Sequence, residues 1–397
     1  MIRVENPEKC CGCGNCKIVC PVQVVSIVED AFGFTKPQVD IEKCINCGLC
    51  EKRCPVINHI NSEDLDHDVY VAFSKDSKTR FLGSSGGMFG SVAQKMFSEN
   101  NKNQLVYGAA FDKDLKLKLT VANTESELTS LYKSKYLQSD LGDEFPKIKQ
   151  KLEEGINVLF TATPCQVYAL KLFLGKDYDN LTTIDFICHG VPSQSFFDKC
   201  KEYVENKDKI KIINYQFRAK KKGGSTPHYY KIDFVKYNKS FTKTKLYTKS
   251  PYYLGFQKYI TLRDSCYNCQ FSASNRCSDI TIGDFHDVDK YLSGINRFEG
   301  VSVFITNTPK GKGVWEKIKD SLEYHKFDIK QLVRDKVIFA GGTKKPINRD
   351  SFINDLKEKP FEYVVNKYLN SKKEWKKDIY YALPRFIRDK IKKILGV

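Results

Sequence analysis

Residues 10–21 read Cys10-Cys11-Gly12-Cys13-Gly14-Asn15-Cys16-Lys17-Ile18-Val19-Cys20-Pro21, and residues 44–55 read Cys44-Ile45-Asn46-Cys47-Gly48-Leu49-Cys50-Glu51-Lys52-Arg53-Cys54-Pro55. Both runs share one spacing, Cys-x2-Cys-x2-Cys-x3-Cys-Pro, and form the chain's internal repeat. A cubane iron–sulfur cluster needs four thiolates converging on its irons. Three closely spaced cysteines wrap one face of such a cluster, and a remote fourth completes it. Zinc is the competing occupant of Cys-x2-Cys pairs. Two four-cysteine runs, each closed by proline, favour iron–sulfur instead. Gly12-Cys13-Gly14 opens like a dinucleotide loop, but no strand–helix context follows, so its glycines serve tight wrapping.

This module closely resembles the bacterial dicluster ferredoxin domain. In two-cluster ferredoxins the fourth cysteine of each run ligates the other cluster. The resemblance therefore assigns Cys10, Cys13, Cys16 and Cys54 to one [4Fe–4S] cluster, and Cys44, Cys47, Cys50 and Cys20 to the second. Cys11 is off the pattern and reads as a spectator. Such a module moves single electrons and does no bond chemistry, so the rest of the chain must supply or accept them.

The rest of the chain is long. The 397 residues weigh 45.6 kDa, enough for two or three domains. Of 15 cysteines, 9 precede residue 55. The start of the chain, Met1-Ile2-Arg3-Val4-Glu5-Asn6-Pro7, lacks an apolar signal core, and no run is long and apolar enough to span a membrane. The expectation is a cytoplasmic protein, whose cysteines in a reducing compartment are metal or redox ligands rather than disulfides. Net charge is +17, but it is local: residues 201–260 hold 15 Lys/Arg against 4 Asp/Glu, residues 356–397 hold 12 against 5, and residues 1–60 balance at 7 each.

The fold class expected is α+β or α/β. A two-cluster ferredoxin domain (1–60) and a polar linker (58–68) lead into an α/β domain with a mixed sheet (65–345), followed by a basic helical tail (350–397). Strands are expected at 69–73, 105–111, 157–161, 182–187 and 300–307, and helices at 87–99, 143–154, 165–174 and 193–204.

Chemistry-bearing motifs in the second domain come in one order: SSGG (84–87), KSKYLQSD (133–140), TPCQ (163–166), ICHGVPS (187–193), LRDSCYNCQF (262–271) and SDITIGDF (278–285). Glycines opening a helix let backbone N–H groups approach a phosphate, although a Ser-Gly helix start is also commonplace. No G-x-G-x-x-G follows a strand, which argues against a nicotinamide-binding Rossmann domain. The order of motifs resembles the coenzyme F420 hydrogenase/dehydrogenase beta-subunit family, in its bacterial branch with a fused dicluster ferredoxin domain. That resemblance implies an α/β flavoprotein with FAD and a third [4Fe–4S] cluster. It places cluster ligands at Cys165, Cys188, Cys266 and Cys269, with Cys277 a competitor by spacing. It places Ser85, Gly86 and Gly87 at the flavin phosphates and Lys135 and Tyr136 near the flavin. Thr163 and Gln166 fall between flavin and cluster, and Asp279 and Gly283 line the same site. The branch usually has Trp and Gly after GDF, where this chain has His286 and Asp287. An altered substrate pocket and simple surface drift both account for that.

The function this implies is an FAD-dependent iron–sulfur oxidoreductase. It would transfer a hydride or electrons to coenzyme F420 or another small or sugar-pathway substrate, in a branch associated with polysaccharide biosynthesis. A non-catalytic subunit relaying ferredoxin-level electrons to a partner enzyme uses the same clusters and stands as the alternative. Candidate catalytic residues are His189, as a proton donor beside the flavin or else a structural histidine, and Lys135. Cys200 reads as core. Expected partners are ferredoxin or another redox protein and a small anionic substrate. Arg218, Lys220, Lys221, Lys222 and Gly223-Gly224 either attract that anion or form a solvated face. Nucleic acid is not expected, since no matching motif accompanies the charge. From Pro384 the tail alternates apolar and basic residues, the pattern of a peripheral contact at the inner membrane face or of a helix docked on its own protein.

Overall fold

The computed structural model describes residues 2, 9–58, 67–99, 103–221, 224–285, 288, 299–334, 339, 341–370, 374–383, 387–388 and 390–391. Lys222, Gly223, His286, Asp287, most of the 58–68 linker and most of 384–397 lie outside these residues.

Each four-cysteine run turns into a short helix, α1 (Asn15–Ile18) and α2 (Leu49–Lys52). Gly14 (φ 76°) and Gly48 (φ 73°) are their left-handed N-caps, a conformation glycine adopts without a Cβ penalty. Between the runs, β1 (Val25–Glu29) pairs antiparallel with β2 (Thr35–Val39). The Asp30 carboxylate closes their turn by accepting from the Phe32 and Phe34 N–H groups.

The chain continues through β3 (Asp68–Ser74), α3 (Ser77–Leu82), α4 (Met88–Ser98), β4 (Gln104–Phe111), β5 (Leu117–Ala122), α5 (Leu128–Leu131), α6 (Glu144–Glu153), β6 (Asn157–Thr161), α7 (Pro164–Leu174), β7 (Leu181–Phe186) and α8 (Gln194–Asp208). A hairpin ribbon follows: β8 (Lys211–Lys221), β9 (Gly224–Lys236) and β10 (Lys239–Leu246), then α9 (Pro251–Gln257). The last elements are β11 (Ile280–Asp284), β12 (Ser302–Thr306), α10 (Pro309–Ile318), β13 (Leu322–Phe327), α11 (Ile329–Arg334), α12 (Arg349–Glu358), α13 (Phe361–Tyr368) and α14 (Trp375–Ala382).

Eight strands form one mixed sheet in the order β13-β3-β12-β11-β7-β6-β4-β5. Neighbours among β11, β7, β6 and β4 run parallel, and the flanking pairs antiparallel. Val158, Leu159 and Phe160 of β6 are all buried, as is every residue of β12. That is why these strands read as unbroken apolar runs. The carboxyl ends of β6, β7 and β11 share one sheet edge, where open α/β sheets bind their ligands.

The basic 201–260 segment holds a three-stranded antiparallel sheet, β10-β9-β8, absent from the sequence reading. Its inner face buries Ile212, Phe217, Tyr230, Ile232 and Phe234 against Phe196 and Phe197 of α8 and Tyr252 and Tyr253 of α9. Phe352 of α12 and Val364, Val365 and Tyr368 of α13 complete that core. The expected C-terminal segment is helical, and its first part, residues 349–369, buries apolar side chains in the α/β body. α14 is tied to it too, through Asp378, which accepts from the Thr248 hydroxyl and pairs with Lys249, and through Glu374, 3.3 Å from Lys258. Among the described residues no helix is long and apolar enough to cross a membrane.

Candidate metal and cofactor site

Cys10, Cys13, Cys16 and Cys54 line one pocket with Cys11, walled by Ile2, Ile27 and Val56. Cys20, Cys44, Cys47 and Cys50 line another, walled by Val22, Val25 and Ile45. Among the described residues no three His, Cys, Asp or Glu side chains converge on a single ion; these sulfurs ring cavities instead of a point. The first quartet is the inner one, with Cys13, Cys16 and Cys54 buried, whereas Cys47 of the second is exposed. Burial, reinforced by Cys10 and Cys54, pushes the Cys16 thiol up to about 12. Burial also raises the Cys54 thiol. Metal binding must displace those protons. The Gly12 N–H lies 3.4 Å from Cys10 Sγ, aimed to donate to it. An all-sulfur donor set in apolar walls with an amide donor suits an iron–sulfur cluster.

The structure gathers a third quartet at the sheet edge. Cys165 sits in the first turn of α7, which Thr163 precedes as N-cap and Pro164 opens. Cys188 follows β7, and Cys266 and Cys269 lie in the loop after α9. Burial raises the Cys188 thiol well above its ordinary value, and the fields of Cys266, Cys165 and Cys269 raise it further. Cys266 is pushed up to about 12 by burial, with Cys165 and Cys269 adding. Gly190, at φ 110°, donates its N–H toward Cys188 Sγ at 3.4 Å, and a Cβ there would stand 2.9 Å from Cys266 Cβ. These four thiols make the same soft donor set as the first two quartets. Cys277 faces elsewhere, its thiol 3.6 Å from the Pro164 carbonyl and in the field of Asp185, Lys171 and Arg276.

Cys11 is no bystander in position. Its buried thiol lies beside both Cys13 of the inner quartet and Cys165 of the third, packed with them in one cluster. The module reaches this place by docking on α7. Asn15 Nδ2 donates to the Ala169 carbonyl at 2.7 Å and Arg53 Nη1 to the Leu172 carbonyl at 2.6 Å. Gln138 Nε2 donates to the Cys11 carbonyl at 2.8 Å, and Gln270 Nε2 to the Pro55 carbonyl. Cys11, Cys13, Ile18 and Val56 join Val167 and Leu170 in one apolar cluster.

The remaining site residues of the sequence reading divide. The Thr163 hydroxyl lies 3.2 Å from Cys165 Sγ and donates to Gln166, which in turn donates to the Ser139 carbonyl. His189 is exposed and its carbonyl accepts from the Thr343 hydroxyl. Ser85 donates to the Val301 carbonyl and Gly86 N–H to Ser302 Oγ. A Cβ at Gly86 would stand 2.5 Å from the Ala72 carbonyl, so the chain's own close packing already demands that glycine. Lys135 is redirected: its ammonium donates to the Ser130, Leu131 and Tyr132 carbonyls, capping α5, while burial pulls its pKa down to about 7. Asp279 accepts from the Thr183 N–H and hydroxyl and from the Thr308 hydroxyl. It precedes β11, about 13 Å along the strand from Gly283 at some 3.3 Å per residue, so the two do not share a site. Gly283 packs on Ile187 instead.

Residues the sequence reading passed over, or weighed as a solvated face, surround Ser84–Gly87. Arg218 is buried, its Nη1 2.6 Å from Asp284 Oδ2 and 3.0 Å from the Tyr136 hydroxyl, its Nη2 on the Ser84 carbonyl. Lys220 Nζ donates to the carbonyls of Arg80, Ser85 and Glu299. Burial pulls Lys220 down to about 7, with Lys133, Arg218 and Arg80 adding, and pulls Lys133 down to about 8. Arg80 pairs with Glu299 at 3.3 Å. Four cations thus face two carboxylates around the loop. Tyr136 stacks on Phe256 at 4.4 Å, and among the described residues the buried Tyr253 hydroxyl beside it meets no partner in hydrogen-bonding geometry. An excess of positive charge, stacked aromatics and an orphaned hydroxyl fit a phosphate-bearing aromatic cofactor. In the sequence, SSGG and the basic stretch with Arg218 and Lys220 were the signals for it.

Known proteins bear on this arrangement. Residues 9–58 match the family model for the 4Fe–4S dicluster domain. Residues 156–331 match the family model for the C terminus of the coenzyme F420 hydrogenase/dehydrogenase beta subunit. No curated protein matches the chain. A chain of the F420-reducing [NiFe] hydrogenase complex from Methanosarcina barkeri superposes with a TM-score of 0.42 at 17% identity, over 68% of this chain and 88% of that one. The chain thus carries a 4Fe–4S dicluster domain in front of a segment that matches the C terminus of the coenzyme F420 hydrogenase/dehydrogenase beta subunit, the make-up of an iron–sulfur, oxidoreductase-type electron-transfer protein.

Proposed function

We propose that the chain is an iron–sulfur flavoprotein oxidoreductase that carries electrons through three cubane clusters to FAD. The ligand sets are Cys20, Cys44, Cys47 and Cys50 on the outside, Cys10, Cys13, Cys16 and Cys54 within, and Cys165, Cys188, Cys266 and Cys269 at the sheet edge. One observation carries this reading: buried Cys11 packs with Cys13 of the inner quartet and Cys165 of the third in one cluster. When bound, clusters pass single electrons, and a flavin exchanges either one electron or a hydride, so it joins the two kinds of chemistry.

The chain's own residues have the following parts. Cys47, exposed among Val22, Ile41 and Ile45, marks where ferredoxin or another redox protein approaches. Arg218, held by Asp284, orients the Tyr136 hydroxyl, and Arg80, Lys133 and Lys220 offset cofactor phosphates at Ser84–Gly87. His189, exposed beside Cys188, exchanges protons with solvent. The substrate is a small anion, coenzyme F420 or a sugar-pathway compound of polysaccharide biosynthesis. The units are residues 1–60 and a body from 65 to about 370.

The test is anaerobic purification, a count of iron and flavin, and reduction of candidate acceptors by reduced ferredoxin. About 12 irons per chain and one flavin are expected. About 8 irons without flavin would overturn both the third cluster and the flavoprotein reading. Full cofactor with no acceptor reduced, and electrons passing only to a partner enzyme, would make the chain a relay.

A further inference from the structure

Two buried arginines lie beside the third quartet, and they differ in one respect. Arg276 has a counter-ion: its Nη2 stands 2.7 Å from Asp185 Oδ2, with the two side chains 2% and 0% exposed. For Arg263, 5% exposed, no carboxylate lies within ion-pair distance among the described residues. The adjacent Asp264 turns to Arg349 instead, at 3.6 Å. Arg263 spends its donors on neutral acceptors: Nη1 on the Cys10 and Thr35 carbonyls at 3.2 and 2.9 Å, Nη2 on Thr35 Oγ1, and Nε on Gln138 Oε1 at 2.9 Å. Its guanidinium carbon lies 4.8 Å from the centre of the Phe34 ring.

A buried cation without a counter-ion is costly, and proteins tolerate it where a compensating charge arrives with a ligand. Here the compensating charge has an address on both sides. Arg263 grips the inner quartet through the Cys10 carbonyl, and a Cβ on Gly12 would stand 2.5 Å from its Nη2. On the other side it precedes Cys266, whose N–H donates to the Arg263 carbonyl, and its field reaches the Cys165 and Cys266 sulfurs. A cubane cluster in four thiolates is a net anion and becomes more negative on reduction. A fixed positive charge beside it therefore favours the reduced form, and in a buried site that effect is little screened.

We propose that Arg263 is the shared counter-ion of the inner and third quartets and holds both reduction potentials up. The inference deepens the three-cluster reading and rests on it. Because one charge serves both centres, it raises their two potentials together. The outer quartet has no contact with Arg263 and serves as an internal control.

The experiment is a redox titration of the anaerobically purified holoprotein, followed by electron paramagnetic resonance, for wild type, Arg263→Gln and Arg263→Lys. In Arg263→Gln the equilibrium constant for reducing the inner and third centres should fall at least tenfold, which is 59 mV for one electron, while the outer centre stays. Arg263→Lys, which keeps the charge, should stay near wild type. Gln138→Glu sets a carboxylate beside an intact Arg263; it should shift the same two centres downward and decides the matter should Arg263→Gln fail to fold. Unchanged potentials, or an equal shift of all three centres, overturn the proposal. A wild-type protein with about 8 irons instead removes the third cluster, and that outcome shows in the iron count before any variant is titrated.

Discussion

Cys165 is raised by the neighbouring Cys11 thiol and by burial, Cys277 by burial first, and the two answer to different neighbours. The field of Cys165 reaches Cys188, Cys266 and Cys269, whereas Cys277 faces a carbonyl and the Arg276–Asp185 pair. Cys165→Ala should therefore remove about four of about 12 irons, measured by iron analysis and the visible absorption of the anaerobic protein. Cys277→Ala should retain all of them. Equal iron in the two variants would refute the assignment of Cys165. The sequence could not separate these cysteines by spacing, because spacing records distance along the chain and not direction. Lys135 teaches the same lesson: its place in KSKY suggested a cofactor, but its ammonium closes the carbonyl end of α5.

α7 connects two functions within one element. Its first turn carries Cys165, with Thr163 as N-cap and Pro164 at the position where a missing N–H is no loss. Its far half offers the Ala169 and Leu172 carbonyls to the ferredoxin module, and it stops at Gly175 in the left-handed conformation. A Cβ at Gly175 would stand 2.5 Å from Arg53 Nη1, so the stop is also a docking notch. Asn15, fully buried, bonds both Ala169 and Arg53 carbonyls. Asn15→Ala strands both acceptors and should cost about 1–3 kcal/mol. Hydrogen exchange should quicken in residues 10–58 and along α7 while β4 and β6 keep their protection. Unaltered exchange in the module would mean that Asn15 does not hold it.

At the scale of the whole molecule, the basic recess is assembled from α3, the Ser84–Gly87 loop, the 133–136 segment, β8 and residue 299. Lys220 and Lys133, pulled down to about 7 and about 8, face Arg80, Arg218, Asp284, Glu299, Tyr136 and Tyr253. The protonated lysines attract a phosphate, and they lose their charge as pH rises through those values, while the arginines stay charged. Affinity for added FAD in the flavin-stripped protein should thus weaken about tenfold from pH 6.5 to 9, the weight of one charge-assisted contact. Fluorescence titration at constant ionic strength measures it, and a flat profile would count against phosphate binding here. The sequence by itself determined the ferredoxin module, since eight cysteines at repeated spacing admit few other folds, and it determined five of the eight strands of the main sheet, β3, β4, β6, β7 and β12, since a doubly covered strand must be apolar throughout; β5, β11 and β13 went unread. It left β8–β10 unread because a sheet with one wet face dilutes its apolar residues with lysine. Only the tertiary structure decided which thiols meet, that Cys11 stands between two quartets, and that Arg218 and Arg263 are buried cations. Those facts depend on which surfaces pack together across more than a hundred residues of chain, and local pattern carries no information about that.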